Sequence, residues 1–599
     1  MASPRPLGMA LRGIAALLIA GPAVAQHPGD TAHWRHVSTP AGEVWGDVSE
    51  ARLARVATDL VAHRLPLLAL LGATGWESPL TTQILVFRDR EDFATYHRRA
   101  DGGAPDAAIA SAADRLGRIV AFALDDRDDQ LPRVHRILAG DVLDQLLTAP
   151  PAWLRTGLAA TLARLESDPG GVSLADPERP AFAAPARVWS DGTTVPTLGS
   201  EHHETVSAAL VRYLMQAESG RSTQLHRYLG LLRGGAPEAL AFEECFGGPF
   251  EVVFAEVRAA ATRGYRLRVE LPAVPEAVRQ VSAAPEDQAR VVLGDFIART
   301  TPWNTVAAAL HYGEVEDDSP FAPAARRGEA FLHELEGRHD DAIALYAASL
   351  ERAPGDTVTA LRLGWSLLDR FRLEVGTYVG REDPLPAAVA RANEAFEAGL
   401  AGDGDHPHLL HGLGASLLFA ARGAERSLAA LDRARQALPN DRAILADWIV
   451  ATAREGRNAE ARRLYHRHLA ATGRDDVAAR TLRFLLEEDL VRVTALARDG
   501  DLEAAESLLR SARDDADPQT RTELDATLEQ IAALRRQIEI DDEIDRFESA
   551  VAVAREHVQR GDLDAAIATI EPFLDEGTHE EVRAKAMQIY GQINALDRP

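Results

Sequence analysis

At 599 residues the chain exceeds what one hydrophobic core supports, so several domains are expected. A net charge of −26 opposes partners that need a basic surface, which argues against nucleic acid and anionic lipid. The single cysteine, Cys245, rules out an intramolecular disulfide and any cysteine-rich zinc site, and reads as a small buried packing residue.

The first 25 residues have the form of a secretory leader. Arg5 and Arg12 lead an apolar run over Gly13–Ala20, and Pro22 precedes Ala23-Val24-Ala25, an A-x-A cleavage site with Gln26 as the mature start. The run is shorter than the ~20 residues of a spanning helix, and no later stretch is long and apolar enough to cross a bilayer. The expected location is periplasmic or secreted. Losing Arg5 and Arg12 with the leader deepens the charge to −28.

Beyond the leader the pattern is α+β. A strand is expected near Trp34–Val37, followed by a helix capped by Ser49 and running through Leu53, Val56 and Leu60. Thr82–Phe87 is β-rich, Asp89 opens a helix through Phe93 and Tyr96, and Ile119–Phe122 is a short strand. Helices follow from about Gln130 to Leu165.

Within those helices, residues 136–143 read Arg-Ile-Leu-Ala-Gly-Asp-Val-Leu, and residues 151–159 read Pro-Ala-Trp-Leu-Arg-Thr-Gly-Leu-Ala. Together they resemble the gluzincin, or peptidase MA-like, family, whose sequences carry H-E-L-A-H on one helix and P-x-W-L-x-E-G-L-A on the next. Ser207–Leu214 and Phe242–Gly247 extend the resemblance, which covers about 30–265. The family's chemistry uses two histidines one turn apart and a later glutamate to hold zinc, with the intervening glutamate as general base. The matching positions here are Arg136, Ile137, Gly140 and Thr156, which supply neither an imidazole nor a carboxylate. The resemblance therefore implies a pseudoenzyme with no catalytic residue, metal or cofactor. A metallopeptidase with an unusual ligand set, such as Asp141, Asp144 and His202, is the alternative.

Other candidates are weaker. His135 reads as a partly exposed helix residue, and His202-His203-Glu204 as a solvated helix start. His406, His408 and His411 open a helix beside Pro407 and read as two solvated caps and a packing residue. There is no G-x-S-x-G turn, phosphate loop or dinucleotide fingerprint.

From Ala324 onward, helical segments recur at roughly the 34-residue period of a helical-hairpin repeat. The clearest unit has Ala330, Gly337, Ala342, Tyr346 and Pro354: small residues where helices cross, glycine in the turn, an aromatic wedge, and proline after the second helix. Later units carry Leu363-Gly364 with Ala392 and Phe396 (after an insert at Gly376–Pro386), then Leu413-Gly414 with Ala434, then Trp448, Gly456, Ala461 and Tyr465. Gly500-Asp501-Leu502 and Gly561-Asp562-Leu563 each precede an Ala-Ala pair, and Thr522–Arg546 reads as a long helical arm. These motifs resemble the tetratricopeptide repeat family over 321–599, which implies an α-α superhelix whose groove takes a protein or peptide partner. The expected organisation is a leader (1–25), a degenerate peptidase MA-like domain (26–265), a helical connector (266–320) and the repeats (321–599), mostly α overall.

Overall fold

A computed structural model describes residues 31–596 apart from 99–102, 104, 106, 125–129, 148–149, 169–170, 175–199, 216–219, 235, 237, 249, 261–267, 270–279, 377–383, 421–422, 471–475 and 517. The leader, most of the insert after Gly376, and the side chains of His202 and His203 lie outside the described residues.

The front of the chain runs β1 (Arg35–Thr39), β2 (Gly42–Gly46), α1 (Glu50–Leu70), β3 (Thr81–Phe87), α2 (Arg90–Tyr96), β4 (Ile109–Asp114), β5 (Gly117–Ala123), α3 (Leu131–Leu146) and α4 (Ala152–Leu162). Asp89 caps α2, its carboxylate accepting from the Glu91 and Asp92 amides. Ser49 stands at the N-cap of α1, but only its main-chain carbonyl takes part, accepting from the Arg52 and Leu53 amides. Strands β2 and β4 escaped the sequence pattern because they are short and rich in Gly and Ala.

Next come β6 (Leu165–Asp168), β7 (Gly171–Leu174), α5 (Ser200–Leu214), α6 (Arg221–Arg233), α7 (Glu238–Phe246), α8 (Phe250–Ala260), β8 (Arg268–Val269) and β9 (Ser282–Ala283). The main sheet has the order β4-β5-β3-β2-β1-β9, and β6, β7 and β8 form a separate small one. In the main sheet β3 runs parallel to both β2 and β5, while the other pairs are antiparallel. The expectation of one sheet followed only by helices therefore misses the later strands.

Helices α9 (Glu286–Thr300), α10 (Thr305–Gly313), α11 (Ala322–Leu335), α12 (His339–Arg352), α13 (Thr357–Val375), α14 (Ala387–Gly402), α15 (Pro407–Leu417), α16 (Ala424–Ala437) and α17 (Arg442–Arg454) pack in sequence as antiparallel neighbours. Gly337 turns between α11 and α12 at φ 75°, a conformation that favours glycine. Phe396 fills the wedge between Gly364 and Gly412, where an added Cβ would stand 2.5 and 2.2 Å from its ring. Tyr312 does the same between Gly294 and Gly328, and Tyr346 follows it by 34 residues. The hairpin stack thus begins with α9 and α10, ahead of Ala324, where the period is first visible in sequence.

The main sheet is covered on both faces. One face (Val44, Ile84, Val86, Val120, Phe122) packs on Leu53, Val56 and Leu60 of α1 and Val134 of α3. The other (Trp45, Leu85, Phe87, Ile119) packs on Val292, Phe296 and Tyr312 of the first hairpin and Leu332 of α11. Burying each such side chain contributes about 1.5–3 kcal/mol, so sheet and hairpins share one core. A third cluster centres on Trp153 of α4, with Leu210, Tyr228, Phe242 and Phe246.

The chain divides into two compact units, one of residues 1–455 with 463–478, the other of 456–462 with 479–599. Helix α18 (Asn458–His468) contributes to both. The second unit also holds most of α19 (Asp476–Arg498), with α20 (Leu502–Asp515), α21 (Pro518–Arg560), α22 (Leu563–Ile570) and α23 (Glu580–Leu596). Its two G-D-L turns share one construction. Gly500 and Gly561 adopt φ 84° and 80°, and Asp501 and Asp562 cap α20 and α22 by accepting from the Ala504 and Ala565 amides. The long arm expected over Thr522–Arg546 is the middle of one 43-residue helix, α21, whose ends belong to separate apolar clusters. Among the described residues no helix is long and apolar enough to cross a membrane.

Candidate functional site

Helices α3 and α4 carry the four positions expected from the resemblance to correspond to a zinc site, Arg136, Ile137 and Gly140 on the first and Thr156 on the second. Arg136 projects from α3 and its guanidinium pairs with Glu204 of α5 at 2.7 Å. Ile137 packs on the apolar cluster below the sheet. Gly140 is buried beside Arg155 of α4, whose guanidinium would stand 3.3 Å from an added Cβ. Thr156 is half-buried, next to the α4–α5 crossing at Gly157.

The carboxylates of the alternative ligand set are engaged by guanidinium groups. Arg155 donates to both oxygens of Asp144, at 2.7 and 2.6 Å, a bidentate pair. Asp141 pairs with Arg118 of β5. Burial outweighs that cation and pushes the Asp141 carboxyl up to about 6. His202 stands on α5, with its side chain outside the described residues. Among the described residues, three guanidinium–carboxylate pairs lie around these positions: Arg118–Asp141, Arg136–Glu204 and Arg155–Asp144.

Two expectations about histidines are corrected. His135 is buried, not partly exposed: its Nε2 lies 2.8 Å from Asp59 Oδ2 and its ring stacks on His63 of α1. Its face of α3 turns toward α1, which the local sequence does not reveal. Of His406, His408 and His411, expected as two solvated caps and a packing residue, both His408 and His411 are buried, at 5 % and 1 % exposed, so one expected cap is a second packing residue. Helix α15 is enclosed by its neighbours from its first turn, so residues that look like a helix start lie inside. His411 Nε2 is 3.0 Å from Asp447, which also pairs with Arg372 at 3.2 Å, and the Trp365 indole donates to the His408 carbonyl. Burial drives the His408 imidazole far down, to about 3. Cys245 is buried as expected, and burial raises its thiol, which keeps it protonated and inert.

A further constellation was illegible in sequence. The turn from β4 into β5, Asp114-Arg115-Leu116, packs against α13, and together with Glu334, Leu361, Arg362, Trp365, Ser366 and Asp369 it lines a cavity of ≈ 360 Å³. Asp114 accepts from Arg299 at 2.9 Å and from Arg362 at 3.0 Å. Arg115 lies 3.7 Å over the Trp365 ring and pairs with Asp369 at 2.9 Å, while Leu116 packs on the apolar cluster that runs from α11 to α15. One face of the hairpin stack thus already holds a short turn by two charges and an apolar anchor.

Fold and site together define an α+β domain built into a stack of antiparallel helical hairpins. No family model matches the chain, and no curated protein matches it. Solved structures similar to it include a thermophilic tetratricopeptide protein of Thermus thermophilus, with 17 % identity and TM-score 0.26, covering 33 % of this chain and 99 % of that one. Human IFIT1 as a dimer with PPP-AAAA has 13 % identity and TM-score 0.21, covering 63 % and 90 %. A monomeric mutant of IFIT1 with Gppp-AAAA has 11 % identity and TM-score 0.25, covering 75 % and 95 %. The architecture described above rests on the chain's own helix packing.

Proposed function

We propose that this chain is an exported, non-catalytic scaffold: a peptidase MA-like domain without its zinc chemistry, built into tetratricopeptide-type hairpins that bind a protein or peptide partner. The observation that carries this reading is the state of the matched positions. A family zinc site needs neutral imidazoles and a carboxylate turned to the ion. Here Arg136, which the resemblance aligns with the first ligand, is a permanent cation bonded to Glu204, and the neighbouring carboxylates Asp141 and Asp144 are held by Arg118 and Arg155. Export is supported by the leader pattern of residues 1–25, and the net charge of −26 favours a partner with a basic face. The docked Asp114–Leu116 turn supports the view that these helix faces take short segments through an apolar anchor flanked by charges.

Sheet and hairpins share one core, so separating the chain at residue 320 would expose it; the test uses the full chain. Expression with residues 1–25 is expected to yield a protein starting at Gln26 in the periplasmic or secreted fraction. The purified protein is expected to leave an unfolded substrate such as casein intact with zinc present, and crosslinking in an envelope extract to place the partner on the hairpins. Proteolysis that disappears on replacing Asp141 and Asp144 by Asn would overturn the reading in favour of a metallopeptidase.

A further inference from the structure

Asp59, His63 and His135 form a three-residue cluster apart from the matched positions, on the seam where α3 packs against α1. Asp59 and His63 are one turn apart on α1, and His135 reaches them from α3. Each offers one ligand atom, and the three atoms lie within 4.8 Å of one another. His135 Nε2 is 2.8 Å from Asp59 Oδ2, and His63 Nδ1 is 3.5 Å from Asp59 Oδ1. A tetrahedral ion with bonds of ~2.0–2.1 Å spaces its ligand atoms ~3.3 Å apart. The two contacts, which run to different oxygens of the Asp59 carboxylate, bracket that value, so a small movement of the side chains brings one oxygen and two ring nitrogens to it. We propose that Asp59, His63 and His135 bind one divalent cation of the zinc type, tying α1 to α3.

The donor set selects the class of ion. Two imidazoles and one carboxylate suit zinc and its d-block neighbours, whereas calcium and magnesium prefer oxygen throughout. The side chains of His63 and His135 are 8 % and 4 % exposed, so little water competes for the ion, while Asp59, at 26 %, faces a wide recess through which it can enter. Beside the two histidines a cavity of ≈ 30 Å³ has room for a water as fourth ligand. It has no room for a peptide, so the ion is structural and the site adds no hydrolytic activity. The two rings lie parallel, with centroids 3.5 Å apart. An ion must lie in the plane of each ring it binds, so binding splays the pair by rotation about the Cβ–Cγ bonds, and the 2.8 Å contact of His63 Nδ1 to the Asp59 carbonyl gives way.

The test uses the tag-free full chain, stripped with chelator and titrated with zinc by calorimetry and with cobalt(II) by visible absorption. One equivalent of zinc is expected to bind, and cobalt to give the intense d–d bands of a four-coordinate site. Asp59→Asn, close to the native shape, and the double variant His63→Ala/His135→Ala are each expected to weaken zinc binding more than roughly tenfold and to abolish those bands. His226→Ala, on an exposed face of α6, is expected to change neither. Circular dichroism of each variant separates loss of a ligand from loss of fold, and Asp59→Asn keeps the test alive if the double variant does not fold. Zinc that binds the wild type and folded Asp59→Asn equally, or a wild type that takes up none, would overturn the proposal.

Discussion

Gly157 shows how a single atom fixes the α4–α5 crossing. A Cβ there would stand 2.3 Å from the Ser207 carbonyl oxygen and 2.7 Å from Val211, and neither helix backbone can swing away cheaply. Gly157→Ala is therefore expected to destabilise the protein by about 1–3 kcal/mol or more, read by urea denaturation. Gly230→Ala, in an open position on α6, is expected to stabilise it by up to ~1 kcal/mol. Buried histidines set an acid limit in the same way. Burial, with a smaller contribution from Arg290, lowers the His311 imidazole to about 4, so it is neutral when folded and ordinary when unfolded. Between about pH 6.5 and 4 the unfolded chain then binds the extra proton, and stability present above pH 6.5 is lost as the pH falls. For His311 the loss is on the order of 3 kcal/mol. Other groups titrate in that range, so the measurement is the difference in denaturation midpoint between wild type and His311→Gln, which should shrink on acidification.

At the level of elements, the β4–β5 turn separates strong contacts from weak ones. Arg115 and Asp369 are each nearly half exposed, so Arg115→Ala is expected to cost only about 1 kcal/mol, mostly its stacking on Trp365. Asp114 instead serves Arg299 and Arg362, whose side chains are 7 % and 17 % exposed. Asp114→Ala strips both of this carboxylate and is expected to cost about 3–5 kcal/mol, with a change in Trp365 fluorescence as the turn lifts. What was legible in sequence follows the same division between local and distant. Turn glycines, the Asp89 cap and the aromatic wedge at Tyr346 follow from residues a few positions apart, and the structure has them where the pattern put them. The partners of His135 lie on α1, more than seventy residues upstream, and Trp365 meets Arg115 from 250 residues away. No periodicity carries such pairings, so a polar residue on a helix reads as solvated even when packing encloses it.

For the molecule as a whole, the division into two compact units predicts two unfolding transitions in place of one. Each can be addressed by a substitution inside its own core. Gly157 lies in the first unit. In the second, Asp489 is 1 % exposed and accepts from Arg462 at 2.6 and 2.9 Å and from Asn458 at 2.9 Å, joining the first turns of α18 to α19. A carboxylate so enclosed is held by its bonds, and removing it leaves Arg462, 8 % exposed, with its charge uncompensated by this partner. Asp489→Ala is expected to cost about 3–5 kcal/mol. If the units are cooperative in themselves, calorimetry should show Asp489→Ala lowering one transition and Gly157→Ala the other, with each variant leaving the second transition near its wild-type position. A single transition that moves with either substitution would mean that the chain folds as one cooperative body. Hydrogen exchange gives an independent reading within the second unit. The ends of α21 are anchored by Leu524 and Ile531 in one cluster and Phe547 and Ala554 in another, while residues 532–543 between them are largely exposed. Amides of that middle stretch are expected to exchange faster than those of either end, because opening there breaks helix bonds without exposing a core.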